Sequence, residues 1–410
     1  MKCLMFASIF PPINGGSAVV YEGLCQFCPK GSVHVMAPWR HYVTGEEIAG
    51  WREYDAGAGF PITRVELLRA PVVSSRSLRH SLWLHLAVDL PLKLRVLWAA
   101  VKLVRKEKID VVCICELNSG TWLGLALRRL LGIPFIIYIH GEEITTESSY
   151  RLFGRRRRHY LHWADALVAV SQFTRRQLMD LYGIASEKIT LIINGVDVAH
   201  FRPGPKDPAL VARYGLEGKQ TILTVGRLVE RKGIDMTLRA LPAILARVPN
   251  AHYLIVGTGE FEPELRRLVD DLGLTPHVTF TGRVPVTELV AHYRLCDLFV
   301  MPNRELENHD TEGFGLVFLE ANACAKAVVA GVAGGAVEAV RHGETGLGVD
   351  GTSVSAVADA VIDLLTDGAK RQAMEQRGLE VAQLCKSADR APIFHELCER
   401  VAKTRRRRWC

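Results

Sequence analysis

The sequence lacks a long uninterrupted apolar segment. The best candidate, residues 81–104, is broken by a proline and by charged side chains at Asp89, Lys93, Arg95 and Lys102. Charges and proline both disfavour a helix that spans a bilayer. A secretory signal is lacking as well, because the apolar residues 1–10 run directly into Pro11-Pro12 and a glycine loop. We therefore expect a cytoplasmic protein without a transmembrane helix.

The cysteine pattern lacks a zinc motif. Cys25 and Cys28 form a Cys-x-x-Cys, but no second pair with matching spacing accompanies them among the ten cysteines. A thioredoxin-like role is disfavoured because the pair lies at the end of a predicted helix. We predict reduced thiols in the cytoplasm.

Composition and charge are those of a globular protein with anionic partners. A chain of 410 residues exceeds the usual size of one core, so we expect two domains. The net charge of +7 favours nucleotides, phosphates, acidic lipids or nucleic acid. Arginine runs at Arg155–Arg158 and Arg405–Arg408 concentrate this charge, although solvated clusters would look the same. Recognition modules with stacking aromatics are absent, so we predict no nucleic-acid partner.

Apolar runs of strand length alternate with helical periodicity along the chain. This alternation implies parallel sheets joined by right-handed crossovers. A cluster of proline and glycine at residues 203–208 predicts a domain boundary near residue 204, and the alternation restarts at Gln220. From Val354 onward the pattern is mostly helical, and it ends in an amphipathic segment at residues 393–405.

The stretch from Glu312 to Glu320 carries the strongest chemical signal. Its Gly-Phe-Gly turn leads into a predicted helix, whose first amides, at Gly315 and Leu316, would be unpaired and would attract an anion. Glu320 follows about two helical turns later, where a carboxylate would suit paired hydroxyls such as those of ribose. A surface loop before a capped helix explains the same residues without a ligand.

Further candidates follow predicted strands, where open α/β sheets bind ligands. They are His140, the Gly15-Gly16 loop and the loop 257–259. Arg227 lies at the end of a predicted strand, and Lys232 lies near the start of the next helix. The planar guanidinium of the arginine and the point charge of the lysine could together hold a diphosphate. Tight turns and exposed charges are the alternatives for each of these motifs.

Taken in order, the motifs resemble those of the retaining glycosyltransferases of family 4, which have the GT-B fold. The matching residues are Gly15-Gly16, His140-Gly141, Asn194-Gly195-Val196-Asp197, Gly226-Arg227 with Lys232-Gly233, Val256-Gly257-Thr258-Gly259, and the pair Glu312 and Glu320. The resemblance covers nearly the whole chain. It implies an α/β protein with two Rossmann-like, doubly wound parallel-sheet domains that face a central cleft.

In this resemblance, an acceptor-binding domain spans residues 1–203 together with a C-terminal helix, about 388–410, that crosses back to it. A nucleotide-sugar-binding domain spans residues 204–387. His140 would contact the transferred sugar, Glu312 would hold that sugar, and Glu320 would hold the ribose. Arg227 and Lys232 would clamp the diphosphate and stabilise the departing nucleotide. The resemblance also places loop and main-chain groups near the donor, namely those of Gly15, Gly16, Gly257, Arg283, Val284, Phe314, Gly315 and Leu316.

The implied activity is transfer of a hexosyl group from a nucleotide-diphosphate sugar with retention of configuration. No Asp-x-Asp occurs in the chain, and arginine, lysine and a helix dipole can replace a cation, so we predict no metal and no cofactor. The polar insert at residues 303–310 is similar to that of some GDP-mannose-using relatives. GDP-mannose is therefore the first expectation, and a UDP-sugar is the second. The acceptor would be a glycan or lipid-linked intermediate of cell-surface polysaccharide synthesis.

Several alternatives stay open at this point. Glu312 and Glu320 could approach the roughly 5–10 Å separation of a glycosidase carboxylate pair. The fold also supports sugar-nucleotide epimerases and phosphorylases. Trp83, Trp98 and the run Arg155–Arg158 supply apolar and basic elements for contact with an anionic inner leaflet, so peripheral membrane association is a further hypothesis. The oligomeric state is not specified by the sequence.

Overall fold

The computed structural model describes residues 1–13, 15–71, 77–145 and 157–407. The chain divides into two compact units, Met1–Ile193 with Ala388–Cys410, and Asn194–Ser387. Parts of both arginine runs, Arg155, Arg156 and Arg408, lie outside the described residues.

The first unit is built on a parallel sheet. Its strands are β1 (Cys3–Phe6), β2 (Val33–Pro38), β3 (Ile62–Val65), β4 (Val111–Ile114), β5 (Phe135–Ile139), β6 (Ala166–Ala169) and β7 (Ile189–Leu191). Their order is β3-β2-β1-β4-β5-β6-β7. Every residue of β1, β4 and β5 is buried, because parallel sheets are covered on both faces. These strands therefore appear in the sequence as continuous apolar runs.

Helices connect these strands. They are α1 (Gly16–Phe27), α2 (Trp51–Gly57), α3 (Leu78–Leu84), α4 (Leu90–Glu107), α5 (Leu117–Leu131), α6 (Glu142–Thr145), α7 (Arg157–Trp163) and α8 (Gln172–Tyr182). A wider π-type turn, His85–Asp89, joins α3 to α4. Pro91 lies in the first turn of α4, directly after the π-type turn.

The second unit repeats the architecture. Its strands are β8 (Gln220–Val225), β9 (Ala251–Val256), β10 (Val278–Gly282), β11 (Leu298–Met301), β12 (Val328–Gly331) and β13 (Gly346–Val349). All neighbours are parallel, in the order β10-β9-β8-β11-β12-β13. The helices are α9 (Pro208–Tyr214), α10 (Ile234–Arg247), α11 (Glu262–Asp271), α12 (Val286–Leu295), α13 (Leu316–Ala323), α14 (Ala336–Ala339), α15 (Val354–Thr366) and α16 (Gly368–Leu384).

The C-terminal helix α17 (Arg390–Arg407) packs on the first unit, against α1, β4 and β5. Phe394 of this helix is fully buried, with its ring centroid 6.4 Å from that of Tyr138 in β5. The predicted return of the last helix to the first domain is confirmed, as is the prediction of two doubly wound parallel-sheet domains.

The second unit begins at Asn194 rather than at residue 204, where the proline and glycine cluster placed the boundary. Val196 N–H donates to Cys385 O at 2.8 Å, and Ser387 N–H donates to Val196 O at 3.0 Å. These bonds tie the segment after β7 to the end of α16. The cluster at residues 203–208 therefore lies inside the second unit and leads into α9, which is capped by Asp207.

The described ranges contain neither a bilayer-spanning helix nor a cluster of metal-ligand side chains. None of their helices combines the length and the apolar character that a bilayer span requires. Within the same ranges, no group of three or more His, Cys, Asp or Glu side chains is arranged to hold a metal ion.

Candidate active site

Each sheet has one point where its strand order reverses, and ligands of open α/β folds bind beside the carboxyl ends of the strands there. In the second unit this point lies between β8 and β11. Lys232 follows β8, and Glu312 follows β11. The fold therefore brings the two side chains together although they are 80 residues apart in the chain.

Lys232 and Glu312 form an ion pair with their charged atoms 2.5 Å apart, and their side chains are only 11% and 12% exposed. Burial alone would raise the pKa of Glu312, but the charges of Lys232, Arg231 and Arg227 outweigh it, so that its pKa is lowered. Glu312 is thus an ionised carboxylate among three cations. An anionic diphosphate entering this cluster would meet the same cations.

The loop before Glu312 is held beside Lys232. Arg304 donates to both carboxylate oxygens of Asp235 in α10, at 2.8 and 3.1 Å. Its main-chain N–H also donates to Arg231 O at 2.8 Å. The polar insert at residues 303–310 is therefore anchored to the loop that carries the cations.

The loops after β8, β9 and β10 lie side by side. Leu228 N–H donates to Thr258 O at 3.0 Å, and Gly257 N–H donates to Gly282 O at 2.9 Å. At Gly257 the backbone has φ +135°, and a Cβ there would lie 1.8 Å from the carbonyl oxygen of Gly226. Only glycine permits this approach, which places the Gly257 loop directly against the Arg227 loop.

Helix α13 starts at Gly315, whose φ of +86° is in the left-handed region, and no side chain caps this start among the described residues. A Cβ on Gly315 would come within 2.5 Å of the ring of Phe318. Unpaired amides at a helix start attract anions. The side chain of Phe314 is only 3% exposed, so main-chain groups are what this residue can offer a ligand.

Glu320 lies in α13, buried, and accepts a hydrogen bond from Tyr293 Oη on α12 at 2.5 Å. Burial raises the pKa of Glu320 to about 7, although Tyr293 and Lys232 both act to lower it. Lys232 forms its ion pair with Glu312, and its charge also acts to lower the pKa of Glu320. Sequence reasoning missed Tyr293, which reads as an ordinary helical aromatic.

Not every predicted donor residue joins this cluster. Arg283 is exposed after β10, and Val284 is half-buried. Among the described residues, no hydrogen bond links either of them to Glu312. Their predicted roles as donor contacts remain predictions.

In the first unit the strand order reverses between β1 and β4. Gly15 and Gly16 begin α1, which follows β1 and carries the fully buried Tyr21. His140 follows β5, and its Nε2 lies 2.7 Å from Tyr21 Oη. The fold thus connects the helix that starts at the glycine loop with His140, through a tyrosine that the sequence did not single out.

Comparison with known proteins agrees with this arrangement. The family model for Glycosyltransferase Family 4 matches residues 15–200, and the model for Glycosyl transferases group 1 matches residues 208–381. The GDP-mannose-dependent alpha-(1-6)-phosphatidylinositol monomannoside mannosyltransferase of Mycolicibacterium smegmatis is 34% identical over 391 residues, which is 92% of each chain. The D-inositol 3-phosphate glycosyltransferase of Acidothermus cellulolyticus is 38% identical over 280 residues, covering 62% of this chain and 60% of that protein.

Solved structures share the fold at low sequence identity. Anabaena HepE in complex with UDP and glucose has a TM-score of 0.77 at 20% identity, over 97% of this chain and 99% of that chain. WaaG, a glycosyltransferase involved in lipopolysaccharide biosynthesis, has a TM-score of 0.67 at 15% identity, over 97% and 99%. The chain belongs to glycosyltransferase family 4 and is a glycosyltransferase with the GT-B fold.

Proposed function

We propose that this glycosyltransferase moves mannose from GDP-mannose to a glycolipid acceptor of the phosphatidylinositol mannoside type, with retention of configuration and without a metal ion. The observation that carries the chemistry is the cluster of Lys232, Arg231 and Arg227 around the buried Glu312. The choice of GDP-mannose is supported by the Mycolicibacterium smegmatis mannosyltransferase, which is similar over nearly the whole of both chains. A UDP-sugar donor is the second candidate, supported by the fold shared with HepE in complex with UDP and glucose.

Each cluster residue has a role in this proposal. Lys232 and Arg227 neutralise the charge that develops on the departing diphosphate, while the amides at the start of α13 bind a phosphate oxygen. Glu312 binds sugar hydroxyls, and Glu320 binds the ribose. The departing phosphate takes the proton of the acceptor hydroxyl, which enters on the same face of the sugar. No protein nucleophile is required.

The cations also account for metal independence. Lys232 and Arg227 take the place of the divalent ion that an Asp-x-Asp motif would coordinate. That motif is absent from the sequence. The glycosidase alternative is not retained, because membership of the family assigns the chain to glycosyl transfer.

A donor screen tests this proposal. GDP-mannose should raise the apparent melting temperature more than UDP-glucose or UDP-galactose does, and GDP should be released when a phosphatidylinositol mannoside acceptor is added. EDTA should leave the rate unchanged, and NMR should show an α-linked product. If UDP is released from UDP-sugars and no GDP is released from GDP-mannose, the donor is a UDP-sugar. Loss of activity in EDTA with recovery on adding Mg²⁺ or Mn²⁺ would refute metal independence.

A lipid acceptor also requires access to a membrane surface, and α3 and α4 present a suitable face. Large apolar side chains recur every four residues and are 42–68% exposed; they are Leu82, Leu86, Leu90, Leu94 and Trp98. The opposite side of α4 packs into the core through Val96, Ala100 and Leu103. Arg79, Arg95, Lys102 and Arg105 are exposed on the same helices. Apolar and basic groups together bind anionic bilayer interfaces.

The protein should therefore sediment with vesicles that contain an anionic lipid, and less with purely zwitterionic vesicles. Leu94→Ser with Trp98→Ser should reduce this binding about tenfold or more, since each exposed apolar group inserted into the interface adds to the affinity. Leu384→Ser, at a position 71% exposed in the second unit, is the control. Equal sedimentation of all three proteins would exclude the α3–α4 face.

A further inference from the structure

His140 and Tyr21 form a pair whose proton positions follow from a third partner. Tyr21 Oη contacts the main-chain oxygen of Cys115 and lies 2.7 Å from His140 Nε2. A carbonyl oxygen can only accept, so the single phenolic proton is donated to Cys115 O. The phenolic oxygen must then accept the N–H of His140 Nε2. This leaves Nδ1 as the unprotonated nitrogen of the ring.

The surroundings hold both rings in place. Tyr21 is fully buried, and its ring packs edge-on against Tyr138 and His140, with centroids 5.5 and 5.3 Å away. The main-chain N–H of His140 donates to Glu143 Oε1 at 2.7 Å. Tyr21 therefore cannot turn away without opening the core, and the hydrogen bond to Glu143 holds the backbone of His140.

The ring is neutral as well as fixed. Burial lowers the pKa of His140 to about 4, against the opposing charge of Glu142. Burial also raises the pKa of Tyr21, so its hydroxyl keeps the proton. In the described part of the chain, Nδ1 makes no hydrogen bond. An unprotonated ring nitrogen can accept a hydrogen bond from a hydroxyl group, but it has no proton to donate to a phosphate oxygen.

We propose that Tyr21 is a positioning residue that fixes His140 in its Nε2–H tautomer, so that Nδ1 is left as a hydrogen-bond acceptor for a hydroxyl group of a substrate. The hydroxyl contact rests on the proposed function, because the substrates of a glycosyltransferase present hydroxyl groups. The tautomer itself depends only on the hydrogen bonds among Tyr21, Cys115 and His140.

The tautomer is measured without turnover. In the full chain with ¹⁵N-labelled histidine, long-range ¹H–¹⁵N correlation should show a protonated Nε2 and a bare Nδ1 for His140 at neutral pH. The signal is identified by its loss in His140→Gln. A proton on Nδ1, or a doubly protonated ring at neutral pH, would overturn the proposal whatever the enzyme transfers.

Tyr21→Phe tests the positioning role, because it keeps the ring and removes only the oxygen. We expect a detectable Nδ1–H population and a fall of about tenfold in kcat, with little change in donor KM. Tyr138→Phe is the matched control, since its ring also lies 5.3 Å from that of His140 but no hydrogen bond joins the two. If the spectrum and the kcat of Tyr21→Phe equal those of the wild type, Tyr21 does not position His140. Should that variant fail to fold, the wild-type spectrum still decides the tautomer.

Donor and acceptor analogues that each lack one sugar hydroxyl test whether Nδ1 accepts a hydrogen bond from a substrate. One analogue should lose about tenfold in kcat/KM with the wild type, and that loss should shrink in Tyr21→Phe because the contact is already impaired. Equal losses in both enzymes would refute the hydroxyl contact. If the wild type turns over no nucleotide sugar while Nε2 is protonated, the proposed function fails and the tautomer assignment stands.

Discussion

Alanine in place of Lys232 should lower kcat/KM for transfer from the nucleotide sugar by about a thousandfold. The ammonium group lies 2.5 Å from Glu312 in a pair that is nearly excluded from solvent. In such surroundings a fixed cation stabilises developing phosphate charge far more than it would in water. Arg227 and Arg231 remain in the variant, so activity should be reduced rather than abolished. Steady-state kinetics with GDP-mannose and a glycolipid acceptor would measure the loss.

The same variant should show a shifted pH dependence. Burial acts to raise the pKa of Glu312, and Lys232 is the strongest influence against it. Without Lys232 the pKa of Glu312 should rise, so the carboxyl should take up its proton at a higher pH than in the wild type. The acid limb of the kcat/KM profile should therefore lie at higher pH in the variant than in the wild type, in which Lys232 holds the pKa of Glu312 down.

Lys206→Ala is the matched control for this experiment. Lys206 also pairs with a carboxylate of the second unit, Asp297, at 2.9 Å, but its side chain is 38% exposed. Exposed ion pairs contribute little, so this variant should stay within about twofold of the wild type. Comparable losses in both lysine variants, or the same pH profile for Lys232→Ala and the wild type, would contradict the role given to Lys232.

Gly257→Ala should destabilise the second unit by about 3 kcal/mol or more and remove donor binding. The new Cβ would lie 1.8 Å from the carbonyl oxygen of Gly226, which is backbone and cannot rotate aside. The loop after β9 would have to move away from the loop that carries Arg227. Chemical denaturation would report the stability loss, and a thermal shift with donor would report binding.

Gly218→Ala separates the close approach from backbone strain. Gly218 also has a positive φ, +67°, but a Cβ there meets nothing within 4 Å. It should cost about 1 kcal/mol from strain alone and leave donor binding intact. If the two alanine variants prove equally stable and both bind donor, the packing of the β9 loop does not position the cation cluster.

The order of strands and helices could be predicted because it depends on patterns of a few neighbouring residues. Buried parallel strands such as β5 are short apolar runs, and the span of α8 follows from Ser171, whose side chain accepts from Thr174 N–H as an N-cap. The domain boundary was placed less well. Proline and glycine mark a flexible segment, but they do not show that Val196 hydrogen-bonds to Cys385.

The sequence by itself determined which residue types stand at strand ends and helix starts. Gly315, Lys232, Glu312 and His140 were found there because turn chemistry and periodicity act over a few residues. Only the tertiary structure decided their partners. The crossovers bring Lys232 to Glu312, and they place Tyr293 on Glu320 and Tyr21 on His140. Burial then sets which of these groups carries a charge, because the cost of removing a charge from water depends on everything packed around it.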